Sequence, residues 1–184
     1  MTPGNANAHC ALGVLRIYSK RAVQGIAECE RALAIDRNLA YAHGWIGLAK
    51  IFSGRNEDTE AHILEALRLS PRDALAPIWM HFVGAAKLAA DRDEEAVVWL
   101  NRSIELNPNW PTPRLWLAAA LAQLGRLEEA CESARAGLEL NPSFTIARLR
   151  SSAFSDNAAF LAGRERVYDG LRKAGLPEGE EKTN

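Results

Sequence analysis

Two residue types recur along this chain at a shared spacing. Gly13 and Gly47 lie 34 residues apart, and Gly84 follows 37 residues later. Three prolines that close apolar segments repeat the same 37- and 34-residue steps, namely Pro71, Pro108 and Pro142. Both markers therefore place a three-residue insertion at the same joint, Ala74–Ala76. A period of this length predicts a repeat architecture in which each unit is a short supersecondary motif.

Residues 111–144 show what one repeat contains. Two apolar stripes with a spacing of three or four residues flank Gly125, which predicts two helices joined by a tight turn. The first stripe contains Leu117, Leu121 and Leu124, and the second contains Ala130, Ala134 and Leu138. A single helix pair of this size cannot bury its own apolar face, so it needs stacked copies. The spacing places these copies at residues 6–39, 40–73, 77–110 and 111–144.

Small residues recur where the two helices of each repeat must cross. An aliphatic residue followed by a small one stands at Leu12-Gly13, Ile46-Gly47, Val83-Gly84 and Leu117-Ala118. This pattern resembles the tetratricopeptide repeat (TPR) family, a 34-residue helix–turn–helix. The resemblance implies an all-α fold: a right-handed α-α superhelix, or TPR solenoid, of four helix–turn–helix repeats and a C-terminal capping helix pair.

The resemblance also implies the domain organisation. The expected segments are a lead-in at residues 1–5, a single TPR domain at 6–175 with capping helices at 145–175, and a mobile tail at 176–184. A cap presents one apolar stripe to the last repeat and a polar face to solvent. We therefore expect Phe160, Leu161 and Leu171 to cover the apolar end of the fourth repeat.

A phrase near the C-terminus carries a second resemblance. Residues 170–177 read Gly-Leu-Arg-Lys-Ala-Gly-Leu-Pro, and residues 69–73 read Leu-Ser-Pro-Arg-Asp. Both resemble the C-terminal TPR segment of bacterial class III nucleotide cyclase-type signalling proteins. This resemblance implies a regulatory segment without catalytic activity by itself, since the repeats leave no residues for a cyclase domain.

Charge and composition bound the class of partner. The formal net charge is −1, which favours neither nucleic acid nor an anionic membrane surface. The N-terminal residues lack the basic and apolar regions of a signal peptide. The longest apolar run, Leu115–Ala122, is too short to span a bilayer. We therefore expect a cytoplasmic protein with no nucleic-acid and no membrane partner.

Catalytic and metal-binding patterns are weak in this sequence. The four histidines, His9, His43, His62 and His81, include no pair three or four residues apart, so no metal site is predicted. The cysteines Cys10, Cys29 and Cys131 form no CxxC motif. Acidic clusters such as Asp93–Glu95 stand at helix starts, where the helix dipole explains them. We therefore expect no enzyme activity and no cofactor.

The first helices of TPR proteins line a concave groove, and here they carry aromatic and aliphatic residues. The residues that the resemblance places in this partner-binding groove are Tyr18, Tyr41, Trp45, Ile51, Phe52, His81, Phe82, Leu115 and Trp116. Arg16, Lys50 and Lys87 share another position of the same helices, which predicts a basic flank. The positions with which chaperone-binding TPR domains clamp a carboxylate hold residues that cannot do so, among them Cys10, Val14 and Ile78.

Three functions remain open at this point. The first is a non-enzymatic protein–protein interaction module that binds a peptide or helix of an unknown protein partner, with a homodimer possible. The second is the regulatory TPR segment of an adenylate or guanylate cyclase-like protein. The third is a carrier of a small hydrophobic ligand. Apolar anchors combined with a few polar groups favour the first.

Overall fold

The computed structural model describes residues 5–179, and over that range the regular structure is helical, without strands. Besides a short 3-10 helix at Asn56–Asp58, the helices are α1 (Ala6–Tyr18), α2 (Ala22–Ile35), α3 (Ala40–Phe52), α4 (Thr59–Leu69), α5 (Ala76–Ala89), α6 (Asp93–Leu106), α7 (Pro111–Gln123), α8 (Leu127–Leu140), α9 (Ile146–Ser151) and α10 (Ala158–Lys173). Each predicted repeat interval contains two of these α-helices. Most of the lead-in, residues 1–4, lies outside the described residues, whereas Asn5 caps α1 through its side chain.

The chain divides into two compact units. The first unit runs up to Val83 and includes Phe154–Leu161. The second unit comprises Gly84–Ala153 and the chain from Ala162 onward. The groove residues at positions 18–82 thus belong to the first unit, and Leu115 and Trp116 belong to the second.

A left-handed residue ends the first helix of every repeat interval. Lys20, Gly54, Asp91 and Gly125 have φ values of 61°, 75°, 61° and 75° and occupy one shared repeat position. In each turn the next residue is an arginine, whose backbone N–H donates to a carbonyl of the preceding helix; for Arg21 the N···O distance is 2.9 Å. Lysine and aspartate accept this conformation at a cost of about 1–2 kcal/mol relative to a right-handed one. The turn geometry therefore persists where the sequence lacks glycine.

Close helix crossings explain the recurrent glycines. A methyl group added to any of three first-helix glycines would collide with a second-helix side chain of the same repeat. The pairs are Gly13 with Cys29 Sγ at 2.7 Å, Gly47 with Ile63 Cδ1 at 2.8 Å and Gly84 with Leu100 Cγ at 2.6 Å. The three pairs occupy equivalent positions in successive repeats. The crossings are thus packed to contact by small residues facing large ones.

Side chains from each of α1 to α5 contribute to the core of the first unit. Ile17, Ile46 and Ile63 are fully buried, and Trp79 of α5 is the largest side chain in this core. The indole of Trp79 lies directly over the backbone of α3 at Gly44, where a side chain would collide with it. Glycine at this position is therefore a packing requirement.

In the second unit α10 packs against α7. Val167, Tyr168 and Leu171 belong to a buried cluster with the α7 residues. The backbone of α10 comes so close at Gly170 that a methyl group there would lie 2.6 Å from the carbonyl oxygen of Ala119. Leu171 thus covers the fourth repeat as predicted.

The prediction for the other two cap residues is wrong. Phe160 lies in the first unit, where its ring contacts Phe52 at 5.3 Å between centroids. Leu161 is 41% exposed and does not cover the fourth repeat. The reason is that α9 ends at Ser151 and a non-helical stretch redirects the chain before α10 begins at Ala158.

The segment expected to be a mobile tail is held in place over its first four residues. Leu176 is buried, and the backbone N–H groups of Ile146 and Ala147 donate to the carbonyls of Pro177 and Glu178 at 3.0 and 2.8 Å. Arg172 also pairs with the Glu178 carboxylate through two hydrogen bonds of 2.9 Å. These bonds satisfy orphan donors at the start of α9. Residues 180–184 lie outside the described residues.

Candidate partner-binding surface

Aromatic side chains of the first unit form an unbroken chain of ring contacts, which we call the aromatic strip: Tyr18, Tyr41, Trp45, Phe52 and Phe82. Trp45 lies at its centre, with ring centroids 5.5 Å from Tyr41, 5.8 Å from Tyr18 and 6.3 Å from Phe82. Tyr18 continues the strip to Phe52 at 6.4 Å. The contacts between Trp45 and the two tyrosines, and between Tyr18 and Phe52, are edge-to-face, a favoured arrangement of aromatic pairs.

Only part of the strip reaches solvent. Tyr18 is 42% exposed, Tyr41 is 38% exposed and Trp45 is half-buried, whereas Phe52 and Phe82 are buried. Burial and the nearby Tyr41 raise the pKa of Tyr18, so its hydroxyl stays protonated at neutral pH. The accessible surface is therefore a neutral aromatic patch with two hydroxyl groups at its edge. Such a surface suits an apolar anchor flanked by hydrogen-bonding groups.

Two predicted groove residues of the first unit lie inside it. Ile51 is 7% exposed, and His81 is equally buried with its ring 6.3 Å from that of Phe82. Burial lowers the pKa of His81 to about 3, so the ring is neutral at physiological pH. Both residues are therefore too buried to present a surface to a partner, and His81 contacts the strip through Phe82.

In the second unit Leu115 and Trp116 are also buried. Leu115 packs against Gly137, where a methyl group would lie 2.7 Å from its Cδ2 atom. Trp116 lies beneath the guanidinium of Arg164, at 6.0 Å from the ring centroid. Both side chains also line an open pocket of about 320 Å³, together with Phe144 and Arg148. These two residues belong mainly to the core of their own unit.

The predicted basic flank is wrong, because its cations are engaged within their own repeats. Lys50 and Lys87 are 7% and 6% exposed. The ion pairs are Arg16 with Glu28 at 2.8 Å, Lys50 with Asp58 at 3.8 Å and Lys87 with Glu95 at 2.9 Å. A hydrogen bond from Lys87 lowers the pKa of Glu95. The shared position therefore joins the two helices of a repeat and leaves no basic stripe for a ligand.

The histidines and cysteines form pairs but no larger group. His43 and His62 lie 3.4 Å apart between their Nδ1 atoms, and burial lowers the pKa of both. His9 instead pairs with Glu28 at 2.8 Å. Within residues 5–179 no three His, Cys, Asp or Glu side chains are grouped so that they could hold a metal ion. None of the helices described there is long and apolar enough to cross a bilayer.

A segment for which the sequence predicts no contact, Phe154 and Ser155, packs against the aromatic strip. Phe154 stacks on Phe52 with 5.8 Å between centroids, and meets Tyr18 edge-to-face at 5.2 Å. The hydroxyl of Ser155 donates to the carbonyl of Phe52 at 2.6 Å, which ties the segment to the end of α3. Periodicity could not reveal this contact, since the residues involved are about a hundred positions apart in sequence.

Comparison with known proteins places part of the chain in a family and the whole in a fold. Residues 114–144 match the family model "Tetratricopeptide repeat". A stretch of 59 residues is 44% identical to Protein STIP1 homolog of Dictyostelium discoideum. That stretch is 32% of this chain and 10% of the relative, so the match spans about a tenth of the length of that curated protein.

Solved structures resemble the chain over most of its length. YrrB, described as a TPR protein with an unusual peptide-binding site, gives a TM-score of 0.62 at 22% identity, over 92% of this chain and 84% of that one. MamA gives 0.65 at 18% identity, over 92% and 89%. MamA from Desulfovibrio magneticus RS-1, residues 41 to the end, gives 0.66 at 16%, over 93% and 98%. At these identities the likeness shows the fold.

None of these matches bears on the resemblance of residues 170–177 to cyclase-associated segments, which stays a prediction. The family match lies within the fourth predicted repeat, residues 111–144. Residues 114–144 are therefore a tetratricopeptide repeat, and the chain has the all-α fold of tetratricopeptide-repeat proteins.

Proposed function

We propose that this chain is a non-enzymatic protein-interaction module that binds a peptide or helix of a partner on the exposed part of the aromatic strip. The observation that carries the proposal is the contiguous surface of Tyr18, Tyr41 and Trp45, three aromatic side chains joined by ring contacts. Aromatic residues of this kind dominate binding energy at protein interfaces because they bury large areas at little entropic cost. The description of YrrB as a protein with a peptide-binding site supports the same type of ligand.

The chemistry of the strip favours an apolar anchor. No basic flank accompanies it, because Lys50 and Lys87 are buried in ion pairs. A partner therefore gains little from a long acidic run and more from a leucine, methionine or aromatic side chain that packs on Trp45. An interface with so few exposed anchors typically binds with a Kd on the order of micromolar.

Truncation of Tyr41 tests this function. We expect Tyr41→Ala to weaken partner binding at least about tenfold, or about 1.4 kcal/mol, because it removes an exposed anchor that orders Trp45. Partners retained by the wild-type chain from a lysate are identified first, and the affinity of each is then measured by titration. Leu64→Ala serves as the matched control, because Leu64 is 50% exposed but lies outside the strip. Equal affinity of the Tyr41 variant and the wild type would contradict the proposal.

A second surface supports self-association. Ala8, Leu12 and Leu15 form one face of α1, with Leu12 40% and Leu15 67% exposed. The equivalent residues of α3, one repeat later, are Ala42, Ile46 and Ala49, all fully buried because α3 packs against α1 and α2. In the repeat architecture this face is thus one that a neighbouring helix pair covers. We propose that a second copy of the chain covers it, as a symmetric dimer.

Sedimentation tests the dimer. We expect the wild-type chain to sediment as a dimer at tens of micromolar and Leu15→Glu to sediment as a monomer, because the substitution places a charge in an apolar interface. Leu64→Glu introduces the same charge at an exposed position elsewhere and should leave the dimer intact. A monomeric wild-type chain at these concentrations would exclude this partner for the α1 face.

A further inference from the structure

One end of the aromatic strip is occupied by the chain itself. Residues 154–160 lie against the carboxyl ends of α1 and α3, with Phe154 on Tyr18 and Phe52, and Phe160 on Phe52. Between these two anchors Asp156 pairs with Lys20 at 2.7 Å. We call the surface beneath this segment, formed by Tyr18, Lys20, Phe52 and the turn at Gly54, the strip end.

The strip end recognises its occupant in several independent ways. Phe154 and Phe160 supply two aromatic anchors, and Ser155 supplies a hydroxyl that the Phe52 carbonyl accepts. The backbone at Gly54 approaches so closely that a methyl group there would lie 2.6 Å from Asn157 Oδ1 and 2.7 Å from Ala159 Cβ. Shape, one hydrogen bond and three ring contacts therefore act together. This combination is a small binding site rather than an accidental contact.

The charge at this site selects the sign of a ligand. The side chains of Lys20 and Asp156 are 49% and 75% exposed, so their ion pair contributes little to stability. It nevertheless disfavours a lysine or arginine at the position of Asp156, because two like charges would then lie in contact. An acidic residue two positions after the first aromatic residue is thus part of the pattern that fits.

Attachment of the segment to the chain explains why these few contacts suffice. Residues 154–160 comprise the end of the link after α9 and the first turn of α10, so their effective concentration at the strip end is on the order of millimolar or higher. A segment of the same chemistry on another protein has no such advantage, and must either exceed it in affinity or meet a chain whose own segment has left. Occupation by the chain therefore sets a threshold for binding.

We propose that the strip end is a docking site for a partner segment of the form aromatic-Ser-Asp-(three residues, the last of them small)-aromatic, and that residues 154–160 occupy it as an internal competitor. This inference rests on the proposed function, because it names the chemistry of a partner that extends from Trp45 toward Phe52. The partner's two aromatic side chains replace Phe154 and Phe160, and its acidic residue pairs with Lys20.

A labelled peptide tests the proposal directly. The probe is the synthetic peptide of residues 151–163, Ser-Ser-Ala-Phe-Ser-Asp-Asn-Ala-Ala-Phe-Leu-Ala-Gly, titrated against the full chain by fluorescence anisotropy. In the release variant, Phe154→Ala with Phe160→Ala, both internal anchors are absent. We expect the peptide to bind this variant at least about tenfold more tightly than the wild type. The same affinity for both chains, or no binding to the variant at about 1 mM peptide, would overturn the proposal.

A second variant guards against misfolding of the first. Phe160 is buried, so its loss removes a core side chain of the first unit, whereas Phe154 is 41% exposed and Asp156 is exposed as well. Phe154→Ala with Asp156→Lys should therefore keep the fold, which circular dichroism checks. We expect this variant to bind the probe at least about threefold more tightly than the wild type, because like charges then oppose its own segment. No gain in this folded variant would overturn the proposal.

Charge reversal and two control arms complete the experiment. In the release variant Lys20→Glu should lower the affinity for the probe. A probe with lysine in place of its aspartate should restore that affinity. A probe with both phenylalanines changed to alanine should not bind. Leu64→Ala should leave probe binding unchanged, because Leu64 is exposed but lies outside the aromatic strip. Equal partner affinity of Tyr41→Ala and the wild type would count against the proposed function, whereas failure of the probe to bind the release variant would count against this inference.

Sedimentation of the same variants tests whether a second copy of the chain is the alternative occupant. If residues 154–160 of one chain filled the strip end of another, the wild-type dimer would dissociate on Phe154→Ala and persist on Leu15→Glu. That result would overturn the internal-competitor assignment. Dissociation on Leu15→Glu alone agrees with it.

Discussion

We expect Gly170→Ala to lower the free energy of unfolding of the second unit by about 2–4 kcal/mol. Helix propensity alone predicts the opposite, a gain of about 1 kcal/mol from replacing glycine inside a helix. The steric effect dominates because the new methyl group would meet backbone atoms of Ala119, at 2.6 Å from its oxygen and 2.9 Å from its Cα. Backbone atoms of a packed helix cannot rotate away as a flexible side chain can. The measurement is urea-induced unfolding followed by circular dichroism.

Ala162→Gly provides the matched control for this substitution. Ala162 lies on the same helix, α10, but is exposed, so its change reports propensity without steric conflict. We expect it to cost about 1 kcal/mol. If Gly170→Ala instead stabilised the chain by a similar amount, α10 would not pack against α7 as closely as the structure shows.

Acidification from pH 7 to pH 5 should lower the free energy of unfolding by about 2 kcal/mol through His81 alone. Burial lowers the pKa of His81 to about 3, whereas an unfolded chain has a histidine pKa of about 6.5. The unfolded chain therefore binds a proton between these values that the folded chain does not bind. Stability is complete above about pH 6.5 and is lost as the pH falls toward the folded value. The lowered pKa values of His43 and His62 act in the same direction.

His81→Leu isolates this contribution. Leucine is the residue at the equivalent position of the fourth repeat, Leu115, where it is 2% exposed, so the repeat accommodates it. We expect the variant to lose about 2 kcal/mol less than the wild type between pH 7 and pH 5, in paired urea titrations. The carboxylates with lowered pKa values, such as Glu95, contribute mainly below this window. Equal losses in both chains would show that His81 is not buried in the neutral form.

The two predictions concern different aspects of the fold. The Gly170 substitution tests whether α10 is an integral part of the second unit. The His81 substitution tests whether α5 holds a titratable group inside the first unit. Gly170 belongs to the second unit and His81 is buried, so neither residue is part of the exposed surface of the aromatic strip. A stability change at either position without loss of partner binding would therefore separate folding from recognition.

Local, repeated signals allowed the sequence by itself to determine the architecture. The 34-residue period, the small residues at Gly13 and Gly47, and the proline helix ends each act within one repeat, where a helix meets its sequence neighbour. Contacts between neighbouring helices depend on residues fewer than about forty positions apart, so periodicity captures them. The aromatic composition of the first helices, including Trp45 and Phe52, could be read in the same way.

Tertiary structure alone decided which of those residues reach a surface. Exposure depends on what packs against a side chain from elsewhere in the chain, and no repeat pattern encodes it. Lys50 and Lys87 became buried ion-pair partners because an acidic residue of the next helix lies within reach. Phe154, which has no equivalent in the repeats, reached Phe52 because α9 ends early and the chain turns back. Such contacts depend on the path of an irregular segment, and that path is set by packing rather than by local sequence preference.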